Sequence, residues 1–242
     1  MIGPEWYLPN KTGISMLMAG AVIGFLFFVA MFLQDTEALV FSPEVSGEEN
    51  LRSLSCPEIL TLDEVGTIRA KIHNRTNKEL YRTVRAHLSR GFLSLENQFT
   101  DHYSMLPGET VPLSWEAYPS DAAWGYVTLA KVHVLPKNPY PSYVGTCGVI
   151  WLNLPYIQGW HLVAAAWVVS VGLMGTGFLR FRQANLPLIG KKRKLYNNLA
   201  VVIATVVLAM VTLFFELWYL EVAFFIFTMI LLAETTFSIS QS

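Results

Sequence analysis

Residues Ile14–Leu33 read ISMLMAGAVIGFLFFVAMFL, twenty positions without a single charge. A helix over such a stretch rises about 30 Å, the thickness of a bilayer's hydrocarbon core. The run is longer than the ~7–15 residues of a signal-peptide core, and no small-residue cleavage site follows it cleanly. Residues 14–33 therefore read as an uncleaved signal anchor, the first transmembrane helix. The next such stretch covers 157–179, with Trp160 and His161 at its start, where amphipathic rings favour the interface. A third covers 197–215 and a fourth 221–239. Between these two lies only Glu216–Glu221, ELWYLE, whose glutamates and aromatics suit an interface better than a midplane. One helix over both would be about 60 Å long, too long for one crossing. That turn has no Gly, Pro or Asn, so three spans stand as the alternative to four.

Charge is unevenly spread. Only 14% of the chain is charged, against about 25% for a soluble domain, and most of that charge falls between Asp35 and Pro155. The stretch after the second span is different: Arg180, Arg182, Lys191, Lys192, Arg193 and Lys194 come with no acid between them. Short loops rich in Lys and Arg stay on the cytoplasmic side. The 180–196 loop is thus read as a topology signal. Basic residues there can also touch anionic headgroups, and nothing in the loop resembles a nucleic-acid surface. Orientation follows: the 1–13 head is cytoplasmic, and 35–155 lies outside a plasma membrane or cell inner membrane. That outer segment comprises an acidic linker, 34–55, and a domain, 56–155.

Inside the outer segment the pattern changes to period two. TIRAKIH (67–73) puts Ile68, Ala70 and Ile72 on one face, and TVRAHLS (83–89) does the same with Val84, Ala86 and Leu88. HNRTNKE between them is a turn by composition, so the two strands are expected to pair as a hairpin. Further strands are expected near 92–99, 111–117, 127–135 and 143–152, a spacing that suggests a two-sheet sandwich. GTIRAKIHNRT, MLPGET and VPLSWEA, taken in order, resemble a broad family of bacterial extracytoplasmic immunoglobulin-like domains over roughly 56–152. The resemblance implies an immunoglobulin-like sandwich and little about function. The expected fold class is a multi-span α-helical membrane protein with an inserted all-β immunoglobulin-like sandwich.

Both cysteines, Cys56 and Cys147, fall in the outer segment. In an oxidising compartment they read as one structural disulfide. A redox-active pair is the alternative, but it lacks C-x-x-C spacing and a basic activator. His73, His87, His102, His133 and His161 show no metal-binding spacing, and no nucleophile or nucleotide motif occurs. No catalytic residue, metal or cofactor is expected, although a lipid, pigment or quinone held between helices leaves no sequence signature. Gly20 and Gly24 in the first span, with Gly172 and Thr176 in the second, read as helix-packing positions. Arg69, Lys71, Arg85 and His87 share the solvent faces of the expected hairpin, a candidate basic interaction patch. It would hold either an acidic partner or the chain's own acidic linker.

The reading these features support is a non-catalytic accessory or scaffold subunit of a larger envelope membrane complex. Its partners would be other integral membrane subunits and lipid. A membrane-anchored surface protein that binds or senses a ligand is the alternative, with a membrane enzyme or transporter behind it.

Overall fold

A computed structural model describes residues 11–138, 140–213 and 218–240. The elements run α1 (Lys11–Val40), β1 (Glu49–Asn50), β2 (Ile59–Thr61), β3 (Gly66–His73), β4 (Leu80–Arg90) and β5 (Phe92–Met105). They continue with β6 (Thr110–Ala117), β7 (Val127–Val134), β8 (Tyr143–Leu152), α2 (Gly159–Ala184), α3 (Lys191–Thr212) and α4 (Trp218–Ser240). The chain divides into two compact units: a β unit, Leu33–Val163, and a helical unit formed by Met1–Phe32 with Ala164–Ser242.

In the β unit, the larger sheet has the order β1-β8-β7-β4-β5, with β2 also on β8. β1 and β2 run parallel to β8, and the other pairs are antiparallel. β3 and β6 form a second, two-stranded sheet. Alternation decides which side chains meet between the sheets. Ile68, Ala70 and Ile72 from β3 and Trp115 from β6 share one core with Val84, Ala86 and Leu88 from β4. Each fully buried aliphatic side chain there contributes about 1.5–3 kcal/mol.

The expected β3–β4 hairpin does not form. β3 pairs with β6, whereas β4 pairs with β5 and β7, so the two strands lie in different sheets. The cause is the connection at 74–79. Asn74 is fully buried; its Nδ2 donates to the carbonyls of Lys78 (2.9 Å), Met105 (3.0 Å) and Leu106 (3.0 Å). Its Oδ1 accepts from the Thr76 backbone N–H at 3.0 Å and from the Thr76 hydroxyl at 2.7 Å. One amide thus pins an arch that carries the chain from one sheet to the other.

The acidic linker is also more structured than its composition suggests. α1 continues through Gln34–Val40, since nothing between Leu33 and Val40 breaks a helix; the next proline after the apolar run is Pro43. Ala38 and Phe41 are buried with Ala123, Val127 and Leu129. Beyond the helix, β1 joins β8; the chain then bridges β3 at Ser55–Arg69 and returns to β8 as β2. Cys56 sits at that crossing, bonded to Cys147 of β8 with Cα atoms 6.3 Å apart.

In the helical unit, buried positions follow a seven-residue rhythm: Leu17, Ala21 and Phe28 on α1, and Ser170, Met174, Gly177 and Phe181 on α2. A Cβ on Gly20 would meet the Ser170 carbonyl oxygen at 2.7 Å, and one on Gly177 the Leu17 amide nitrogen at 2.5 Å. The Ser170 hydroxyl donates to the Gly20 carbonyl at 2.9 Å. Small residues allow this approach. Phe225 of α4 stacks on Phe25 and Phe32 of α1, with ring centroids 5.9 and 5.5 Å apart. Among the described residues, three helices are long and apolar enough to cross a membrane: Lys11–Val40, Gly159–Ala184 and Lys192–Thr212. α4 is a separate helix of 23 residues. Residues 214–217, which hold the start of the ELWYLE turn, lie outside the described residues, as does most of the 1–13 head.

Candidate functional site

The four residues of the expected basic patch do not come together. Arg69 and Lys71 point outward from the smaller sheet and Arg85 and His87 from the larger one, so the pairs face opposite ways. His87 is 5% exposed, and its Nδ1 lies 2.9 Å from Glu96 Oε1. Glu96 also accepts from the Ser42 hydroxyl. Lys131 Nζ, 4% exposed, donates to the Ser42 carbonyl at 2.9 Å. The start of the acidic linker is therefore strapped to the outer face of the larger sheet, by Lys131 and Glu96 rather than by Arg69 or Arg85.

Two titration shifts mark this face. Burial would raise the Glu96 carboxyl, but hydrogen bonds from Ser42 and His87, with the charges of His87 and Lys131, hold it below the ordinary value. Burial pushes His133 down, and neighbouring His87 and Arg85 add to that.

A groove of about 750 Å³ opens at the end of the two-sheet core beside the Asn74 arch. Arg52, Lys71, Arg75 and Arg82 line it against one acid, Glu49. Arg82 is the unusual member. It shares the inward parity of Val84, Ala86 and Leu88 and is only 5% exposed. Nη1 donates to the carbonyls of Leu135 (2.9 Å) and Pro141 (3.3 Å). The guanidinium carbon lies 5.4 Å from the Tyr140 ring centroid and 5.8 Å from that of Tyr143. Nε is buried without a hydrogen bond, and no described carboxylate lies within ion-pair reach. Burial pulls this guanidinium below its ordinary value, partly offset by Tyr143 and Tyr140. Arg82 also lines a second hollow of about 460 Å³, with His102 and Lys137. Parity in TVRAHLS, extended back by one residue, sets Arg82 apart from its neighbours.

The helix-packing positions divide. Gly20 and Gly24 lie in the α1 contacts: a Cβ on Gly24 would collide with Ser170 Oγ and meet Val206 Cγ1 at 2.8 Å. Gly172 has open space where a Cβ would stand, and Thr176 is exposed, its hydroxyl bonded back to the Gly172 carbonyl at 2.7 Å. The inward positions of α2 are Ser170, Met174, Gly177 and Phe181. The six basic residues of 180–194 fall on helix rather than loop: Arg180 and Arg182 in the last turns of α2, Lys191–Lys194 in the first turn of α3. Cations at a helix N-terminus oppose its dipole, so their place on α3 is not owed to helix stability. Among the described residues, no group of three His, Cys, Asp or Glu could hold a metal ion.

No protein-family model matches the sequence, and no curated protein matches it. Among solved structures, a CARDB domain of the PF1109 protein from Pyrococcus furiosus, in complex with di-metal ions, is similar over 42% of this chain and 90% of its own, at 14% identity and TM-score 0.32. A β-glucosidase from Listeria innocua is similar over 40% of this chain and 15% of its own, at 15% identity and TM-score 0.28. A cycloisomaltooligosaccharide glucanotransferase from Paenibacillus sp. is similar over 43% and 14%, at 9% identity and TM-score 0.31. This chain thus spans only a small part of either enzyme, and likeness at these scores assigns it no activity.

Proposed function

We propose that the chain is a multi-span membrane protein whose β unit is an immunoglobulin-like sandwich held outside the cytoplasm. In this reading it serves as a non-catalytic accessory or scaffold subunit of a larger cell-envelope complex. The observation that carries the reading is the free edge of the larger sheet. β5 is the terminal strand there, 14 residues long, and FLSLENQFTDHYSM contains no Lys, Arg or Pro. Natural edges are usually short or blunted by such residues, because unpaired backbone groups recruit another strand. An extended segment of a neighbouring subunit fits this edge by strand addition. The six basic residues at one end of α2 and α3 support the orientation.

Purification in mild detergent should yield stoichiometric partner chains. Gln98→Lys with Thr100→Lys, both exposed on β5, should release them without moving the melting curve of the β unit. A clean monomer from wild type would sink the proposal. The second reading, ligand binding by the β unit, is favoured by the Arg82 groove.

A further inference from the structure

Arg82 places a full positive charge on the inward face of a strand, and the protein supplies it with two carbonyls and two aromatic rings but no described counter-ion. A guanidinium cannot shed its charge to escape burial. A lone buried ion is costly unless paired, so its retention at the floor of an open groove calls for an anion from outside. The rim agrees with this. Arg52, Lys71 and Arg75 raise the local potential, and Glu49 is the sole lining acid. Two half-buried tyrosines, Tyr140 and Tyr143, flank the guanidinium and leave apolar surface beside it. The groove's volume suits a small molecule.

We propose that this groove binds a small solute carrying an oxyanion, a carboxylate or phosphate, with Arg82 as its buried counter-charge and Lys71 and Arg75 as its rim. Both anions match the planar donor fork of arginine. Glu49 tunes the site by repulsion. The site is independent of the β5 edge, so loss or retention of protein partners does not bear on it.

Isothermal titration of the full chain in detergent tests this, at constant ionic strength in chloride. Inorganic phosphate and D-glucuronate are the two anionic probes, and D-glucose is the neutral control. At least one anion should give a saturable one-to-one heat that glucose lacks, and which anion does so identifies the headgroup. Arg82→Met should weaken that binding about tenfold or more, as expected for hydrogen bonds to a charged group. Lys71→Ala with Arg75→Ala, both exposed, should weaken it about two- to fivefold without touching the core, which keeps the test decisive if Arg82→Met fails to fold. Glu49→Gln should tighten it. The proposal is overturned if neither anion binds saturably, if chloride reproduces the heat, or if a folded Arg82→Met binds as well as wild type. It is also overturned if Glu49→Gln lowers the melting temperature and leaves anion affinity unchanged, since Glu49 would then be the counter-charge.

Discussion

Leu88 on β4 is 1% exposed, whereas Leu208 on α3 is 50% exposed, although both stand among other apolar side chains. In the β unit, apolar residues alternate with polar ones, and the apolar set faces the core. In the helical unit, apolar residues occur all round, and Val168, Val201 and Leu208 point outward. What marks the inner face there is small size and a hydroxyl, as at Gly20, Gly24, Ser170 and Gly177. Hydrophobicity thus reports the inside only where water is the outside. Helices suited to lipid gain nothing by hiding leucine and must use close approach instead.

The comparison can be broken most forcefully at the disulfide, which belongs to the β unit alone. Cys147→Ser opens a loop of 91 residues and should cost that unit about 4–5 kcal/mol by chain entropy. Differential scanning calorimetry should show the β transition moving down and the helical one unmoved; a joint shift would show that the units melt together. A pair of glycines sharpens the other side. Gly20→Leu forces a side chain into the Ser170 carbonyl and should destabilise the helical unit by about 1–3 kcal/mol or more, while Gly172→Leu, with open space around it, should be near neutral. Equal effects from the two would undo the assignment of the inner face.

The smallest expected effect is a pH slope. All five histidines lie in the β unit. His133 has a lowered pKa when folded, from the ordinary 6.5, so the unfolded chain binds its proton first as pH falls. The β unit should lose stability from about pH 6.5 downward, until folded His133 protonates. The Glu96 contribution, present above its ordinary 4.5, is lost later, as pH falls through its lowered value. His133→Phe should flatten the first part of the curve, and the helical unit should show no slope there. An unchanged slope in that variant would show that His133 does not carry the effect.

Strand faces were legible in the sequence because period two is a local property: Ile68, Ala70 and Ile72 could be assigned inward from the seven residues TIRAKIH. Strand partners were not legible, since the same alternation fits a hairpin or a crossover. The choice lay with Asn74, whose amide bonds to residues about thirty positions away. β1 and β2, of two and three residues, are too short to show any period. In the candidate groove, Arg82 shares the parity of Val84, Ala86 and Leu88, but parity alone does not say what it meets inside. Its partners Tyr140, in the β7–β8 connection, and Tyr143, at the start of β8, are distant in sequence and no local pattern links them to it.

Tension drawn along the chain between α1 and α2 meets the Cys56–Cys147 bond before it reaches the strands enclosed by it. Only residues 41–55 and 148–158 can pay out, about 90 Å when fully extended, against about 400 Å if the bond were open. β3 to β7 lie inside the loop and are shielded from a pull on either helix. Under force the β unit would act as a tether with a short, covalently fixed stop, and the core enclosed by the bond would carry none of the load.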